Sequence, residues 1–116
     1  MGREINHVEL STKNLMETKR FYSRLFRWAF QMYGDDYMMF TTSKKGVGGG
    51  FQLSKKVTPG TTRFYVTVDS IPKTQQKAAS LGGKIGQRKK AIGGGHGYWG
   101  TIKDPHVNLI GVWSKK

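Results

Sequence analysis

The chain reads as an α+β protein built from two consecutive βαβββ modules whose strands form a cupped mixed sheet. Two patterns predict this. The order strand, helix, strand, strand, strand occurs twice, once on each side of a Pro59-Gly60 turn, and the strand segments alternate apolar and polar residues with the period of half-buried strands. Length is the third argument. A chain of 116 residues fits one domain. A single βαβββ unit leaves a sheet face mostly uncovered, and two units side by side can curve around a shared concave space, where ligands usually sit. Module one covers about residues 1–54, the linker 55–60 and module two about 61–116.

In module one, Ile5-Asn6-His7-Val8-Glu9-Leu10 alternates as a strand. Asn14 followed by Glu17 resembles a capping box. Leu15, Thr18, Tyr22 and Leu25, with Phe21 and Phe26 beside them, predict a helix over Leu15 to Phe26. Strands follow over Ala29–Tyr33, Tyr37–Thr42 and Val47–Leu53, separated by turns at Gly34-Asp35-Asp36 and Ser43-Lys44-Lys45-Gly46. Module two opens with a strand over Thr62–Val68. Asp69-Ser70 caps a helix whose first turn tolerates Pro72 and whose buried face holds Ile71, Ala78 and Leu81; Gly82-Gly83 ends it. Strands over Lys84–Ile92, Tyr98–Lys103 and Leu109–Trp113 complete the module.

Composition narrows the function classes. The chain has no cysteine, which excludes disulfides, thiolate catalysis and cysteine metal sites. No apolar run approaches a membrane span and the N-terminus lacks a secretory pattern, so a soluble cytoplasmic protein is expected. The net charge of +13 comes from 20 Lys and Arg against 7 Asp and Glu, with ten basic and five acidic residues up to Gly60 and ten and two after it. Such a field attracts anions. It also fits a plain solubility habit, or nucleic-acid binding.

Several strings, in this order, resemble the vicinal-oxygen-chelate (glyoxalase, bleomycin-resistance and dioxygenase) superfamily. They are His7-Val8-Glu9-Leu10, Arg20-Phe21-Tyr22 through Trp28, Val47-Gly48-Gly49-Gly50-Phe51, Phe64 through Asp69, Leu81-Gly82-Gly83-Lys84, and Lys103-Asp104-Pro105-His106 through Trp113. The resemblance implies the paired-module fold and a homodimer. It also implies a divalent metal, held by His, Glu or Gln from both modules, that polarises vicinal oxygens of a substrate.

Those ligand positions fall on His7, near Gly50, on Arg63 and on Gly111; Gln52 lies two residues out of phase with the second. One donor of four remains. Glycine offers no ligand, and the guanidinium of Arg63 would repel a cation. No metal or other cofactor is therefore expected, although a divalent ion at a nonstandard site involving His96 or His106 stays open. His7 is the only catalytic candidate, as a proton carrier or ligand donor; it could equally be a hydrogen-bonded core histidine. Arg63 suits a carboxylate or phosphate, or a surface ion pair. Phe51, Tyr65, Tyr98, Trp99 and Trp113 are spaced to line the sheet, some facing the ligand and others the core.

Gly48-Gly49-Gly50 and Gly93-Gly94-Gly95 lack the Lys-Ser/Thr ending of a phosphate loop. Arg88-Lys89-Lys90 and Lys115-Lys116 read as solvated edges, because no aromatic residues interleave with them along the chain. The expected function is metal-independent binding of an aromatic or anionic small molecule by His7, Phe51, Arg63, Tyr65, Tyr98, Trp99 and Trp113. The rivals are a glyoxalase-like lyase or isomerase and a basic nucleic-acid accessory protein.

Overall fold

A computed structural model describes residues 2–116. The chain divides into two compact units, Asn6–Arg63 and the N-terminal residues up to Ile5 together with Phe64–Lys116.

The first unit contains β1 (Ile5–Thr12), α1 (Leu15–Phe26), β2 (Ala29–Met32), β3 (Tyr37–Thr41) and β4 (Gly48–Leu53). Its strands are ordered β2-β3-β4-β1; β1 runs parallel to β4 and the other pairs are antiparallel. The predicted cap is present: the Asn14 side chain accepts a hydrogen bond from the Glu17 amide at 2.9 Å, satisfying an amide the first helical turn leaves unpaired. The helix ends where Arg27 turns left-handed, at φ 60°.

One face of this sheet packs on α1. Leu15, Met38, Phe40 and Phe51 are buried there, with Leu10, Tyr22, Trp28 and Phe30 against them. Trp28 lies nearly parallel to both Tyr22 and Phe40, at 5.2 and 4.7 Å between centroids, and such pairs add to the apolar burial. Gly49 leaves room for the Phe40 ring, since a Cβ there would strike the Val8 carbonyl and come within 2.8 Å of that ring. The predicted helical stripe is only partly covered: Leu15 is buried, but Phe21, Leu25 and Phe26 are exposed. Periodicity marks an apolar face without showing what covers it.

The second unit contains β5 (Arg63–Thr67, whose first residue belongs to the first unit), α2 (Ile71–Ser80), β6 (Lys84–Ile85), β7 (Lys90–Ala91), β8 (Tyr98–Lys103) and β9 (Leu109–Ser114). The order is β5-β9-β8-β6, with β7 also on β8; β5 and β9 are parallel and the rest antiparallel. Ser70 caps α2 through the Lys73 amide at 3.3 Å, and Pro72 sits in its first turn. Ile71, Val112 and Ser114 are buried. Leu81 is not part of the helix's buried face as predicted. It follows the last helical residue and is 70 % exposed, because the chain turns away at Gly82, whose φ is 97°.

The single predicted strand over Lys84–Ile92 is instead two short strands separated by a bulge. Gln75 of α2, 1 % exposed, closes the gap. Its amide donates to the Gln87 carbonyl at 2.6 Å and the Thr101 carbonyl at 3.0 Å. The Thr101 hydroxyl accepts from the Gln87 amide at 2.7 Å. Both carbonyls also accept backbone amides, from Thr101 and Gly86 respectively, so the Gln75 amide is a second donor that ties α2 to the bulge.

Candidate functional site

Strand alternation assigns the side chains to faces. In the first unit, Leu10, Met38, Phe40 and Phe51 mark the helix side. His7 and Glu9 on β1, Tyr37 and Met39 on β3, and Gly48, Gly50 and Gln52 on β4 share the other side; β1 pairs His7 with Gly48 and Glu9 with Gly50, and β3 pairs Met39 with Gly50.

Four groups gather on this helix-free face. The Tyr37 hydroxyl and His7 Nε2 are hydrogen-bonded at 2.8 Å. Gly50 permits that contact: a Cβ on it would overlap the Tyr37 hydroxyl and ring, so the ring occupies the space a side chain would fill. Next along β1, Glu9 Oε1 lies 3.8 Å from Arg63 Nη1, and both side chains are about a quarter exposed. Burial pushes the His7 imidazole below its ordinary value of 6.5, against the opposing pull of the Glu9 carboxylate. A neutral imidazole is thereby favoured at pH 7. The arrangement can accept or pass one proton at His7 and present one guanidinium to an anion. The nearby Gln52 amide is tied to the Asp36 and Leu53 carbonyls, at 3.0 and 3.3 Å.

The structure thus brings His7 and Arg63 to one face. Tyr37 and Glu9 are additions that the sequence reading missed. Glu9 was legible as the residue two along from His7, on the same side of an alternating strand. Nothing local announces Tyr37.

The aromatic candidates separate. Phe51 is 2 % exposed in the α1 core. This departs from a ligand-lining role, because its ring packs against Tyr22 and Phe40. In the second unit, Tyr65 pairs with Gly111 and Trp99 with Trp113 on the helix-free side. Tyr98 pairs with the fully buried Ser114 on the α2 side, which separates it from Trp99 and Trp113. A Cβ at Gly111 would run into the Tyr65 ring. His96 and His106 lie in loops. The His96 carbonyl accepts from Trp113 Nε1 at 2.8 Å, and the His106 amide donates to Asp104 at 2.9 Å.

The family model for the Glyoxalase/Bleomycin resistance protein/Dioxygenase superfamily matches residues 4–112. The chain belongs to this superfamily. Solved structures share its fold. The Mn(II)-bound glyoxalase from Novosphingobium aromaticivorans superposes with a TM-score of 0.73 at 16 % identity, over 99 % of this chain and 40 % of that one. Homoprotocatechuate 2,3-dioxygenase from Brevibacterium fuscum gives 0.75 at 13 % identity, over 97 % of this chain and 36 % of that one. Methylmalonyl-CoA epimerase from Mycobacterium tuberculosis gives 0.69 at 11 % identity, over 95 % and 86 %. The chain therefore spans well under half the length of the glyoxalase and the dioxygenase. A search of curated protein sequences gave no significant match.

The glyoxalase neighbour is Mn(II)-bound, which raises the question whether the donors of this chain suit a divalent ion. They do not fit one. His7 is bonded to Tyr37, Glu9 faces a guanidinium, and Gly50 and Gly111 are covered by tyrosine rings. Among the described residues no three His, Asp or Glu side chains come together. No described helix is long and apolar enough to cross a membrane.

Proposed function

We propose that the chain is a metal-independent binding protein for a small anionic molecule, with an aromatic carboxylate as the favoured class. One observation carries this reading: the Tyr37 ring lies across Gly50 and bonds His7. An aromatic hydroxyl thus stands where the family resemblance would place a metal ligand. The Arg63–Glu9 pair supports the choice of anion. At 3.8 Å it is long for a charge-assisted hydrogen bond, so an incoming carboxylate that engages the guanidinium fork can replace it. The net charge of +13 favours the same sign of ligand.

The test combines elemental analysis of purified protein with thermal-shift and calorimetric screening of aromatic carboxylates and phosphate monoesters. Binding of an aromatic carboxylate, weakened at least ~10-fold by Arg63→Met, is the expected result; that loss corresponds to one charge-assisted hydrogen bond. One equivalent of Mn, Fe, Ni or Zn that survives dialysis and is lost in His7→Ala would overturn it. A second reading, a glyoxalase-like lyase or isomerase, draws on the half-buried imidazole held neutral beside a hydroxyl and a carboxylate. Turnover of a carbonyl substrate abolished by His7→Ala would favour it.

A further inference from the structure

Along the chain, the run Arg88-Lys89-Lys90 stands apart from the aromatic residues; strand pairing brings them together. Lys90 on β7 lies directly opposite Trp99 on β8, and Lys84 on β6 directly opposite Lys103. Trp99 and Lys103 are four apart on one strand and therefore share a face. Their partners share it too, as does Trp113 across from Trp99. The helix-free side of this unit thus carries Lys90, Trp99, Lys103 and Lys84 together, with all three lysines exposed and Trp99 half-buried. At the edge, Lys89 Nζ sits 4.4 Å from the centre of the Tyr98 ring.

Like charges directly opposite one another weaken a strand pair, and β6 is only two residues long. No ion pair among the described residues of the unit offsets them. Asp104, beside Lys103, has its carboxylate engaged by the Asn108 side chain and by the His106 and Asn108 amides. The one ion pair found among the described residues joins Arg63 to Glu9. From Trp99 to Lys103 the strand spans ~13 Å at about 3.3 Å per residue, long enough to meet successive charges of a polymer. Trp99 is half-buried among these lysines, and an indole gives a base a flat partner that a phosphate alone would not use.

We propose that this face binds single-stranded nucleic acid, with Lys84, Lys90 and Lys103 on phosphates and Trp99 stacked on a base. Unpaired bases expose the flat surfaces that stacking needs, while a duplex hides them. The test is fluorescence anisotropy of the full chain with a labelled 15-nucleotide oligothymidylate across a salt series. Three lysine–phosphate contacts set a log–log salt slope of about −2, at ~0.7 per contact. Trp99→Ala should weaken binding ~10-fold with the slope unchanged, and Trp99→Phe should recover most of the loss. Lys84→Gln with Lys103→Gln should flatten the slope by about 1.4. The proposal is overturned by absence of binding at low salt, by tighter binding of a duplex of equal length, or by inorganic polyphosphate or anionic phospholipid vesicles matching the oligonucleotide. Equal loss of polyphosphate and oligonucleotide binding in Trp99→Ala would also overturn it.

Discussion

Gly50→Ala tests the contact on which the functional reading rests. On an ordinary strand this substitution stabilises by roughly 0.5–1 kcal/mol, because glycine loses more freedom on folding than alanine. Here the new methyl would overlap the Tyr37 ring and hydroxyl, so the ring must swing away. That breaks the 2.8 Å bond to His7, worth about 1 kcal/mol, and overpacks the face at roughly 1–3 kcal/mol. Set against the backbone gain, the net expectation is a loss of ~2 kcal/mol. For a domain of this size that is about 8 °C in Tm. Urea denaturation of wild type, Gly50→Ala, Tyr37→Ala and the double variant completes a thermodynamic cycle. With Tyr37 truncated, Gly50→Ala should cost nothing or stabilise, leaving a coupling of at least ~1 kcal/mol. A neutral or stabilising Gly50→Ala in the wild-type background would refute the placement of the ring.

Three further outcomes follow from packing, titration and backbone strain. Gln75→Met keeps the bulk of a side chain that is 1 % exposed but removes the amide bonded to the Gln87 and Thr101 carbonyls. Both carbonyls keep a backbone donor, the Thr101 amide for Gln87 and the Gly86 amide for Thr101, so losing the second donor at each should cost ~1–3 kcal/mol by urea denaturation, with amide exchange accelerating first around the bulge. His7 titrates below 6.5 in the folded protein because burial disfavours its charged form. Between that lowered value and 6.5 the unfolded chain holds more protons, so this contribution is complete above pH 6.5 and disappears as pH falls through the folded-state value. His7→Gln should remove that part of the stability–pH slope, and an NMR titration of the ring should find its midpoint below 6.5. Val107 adopts φ 61° although β-branched, and it is 67 % exposed. Val107→Gly should therefore raise stability by ~1 kcal/mol in thermal melts, as relief of a left-handed conformation outweighs the lost side chain.

What the sequence disclosed depended on how local each signal was. Leu15–Phe26 and Tyr98–Lys103 have the predicted limits, because a capping residue and a glycine turn mark them within a few positions. The βαβββ order and the superfamily were legible for the same reason. The interruption of Lys84–Ile92 was not. Gln75 reaches into the gap from α2, and no neighbour of Lys84 reports that. The exposure of Leu25 and Leu81 was equally hidden, since an apolar stripe looks the same covered or bare. At the candidate site, His7 and Arg63 were found by position. Tyr37 escaped because its role depends on a glycine in the adjoining strand, thirteen residues later. The interleaving of Lys90 with Trp99 likewise exists only across a strand pair.

The glycines at the two positions where the resemblance places metal donors are each roofed by a tyrosine, and from different strands: Gly50 by Tyr37 of β3, Gly111 by Tyr65 of β5. Each half has filled the space over its own glycine by a separate route. Grafting a carboxylate onto either glycine would therefore be rejected sterically before any ion arrived. Placing a donor side chain at these two positions would require coordinated exchanges, with each glycine enlarged and each tyrosine trimmed in one and the same variant.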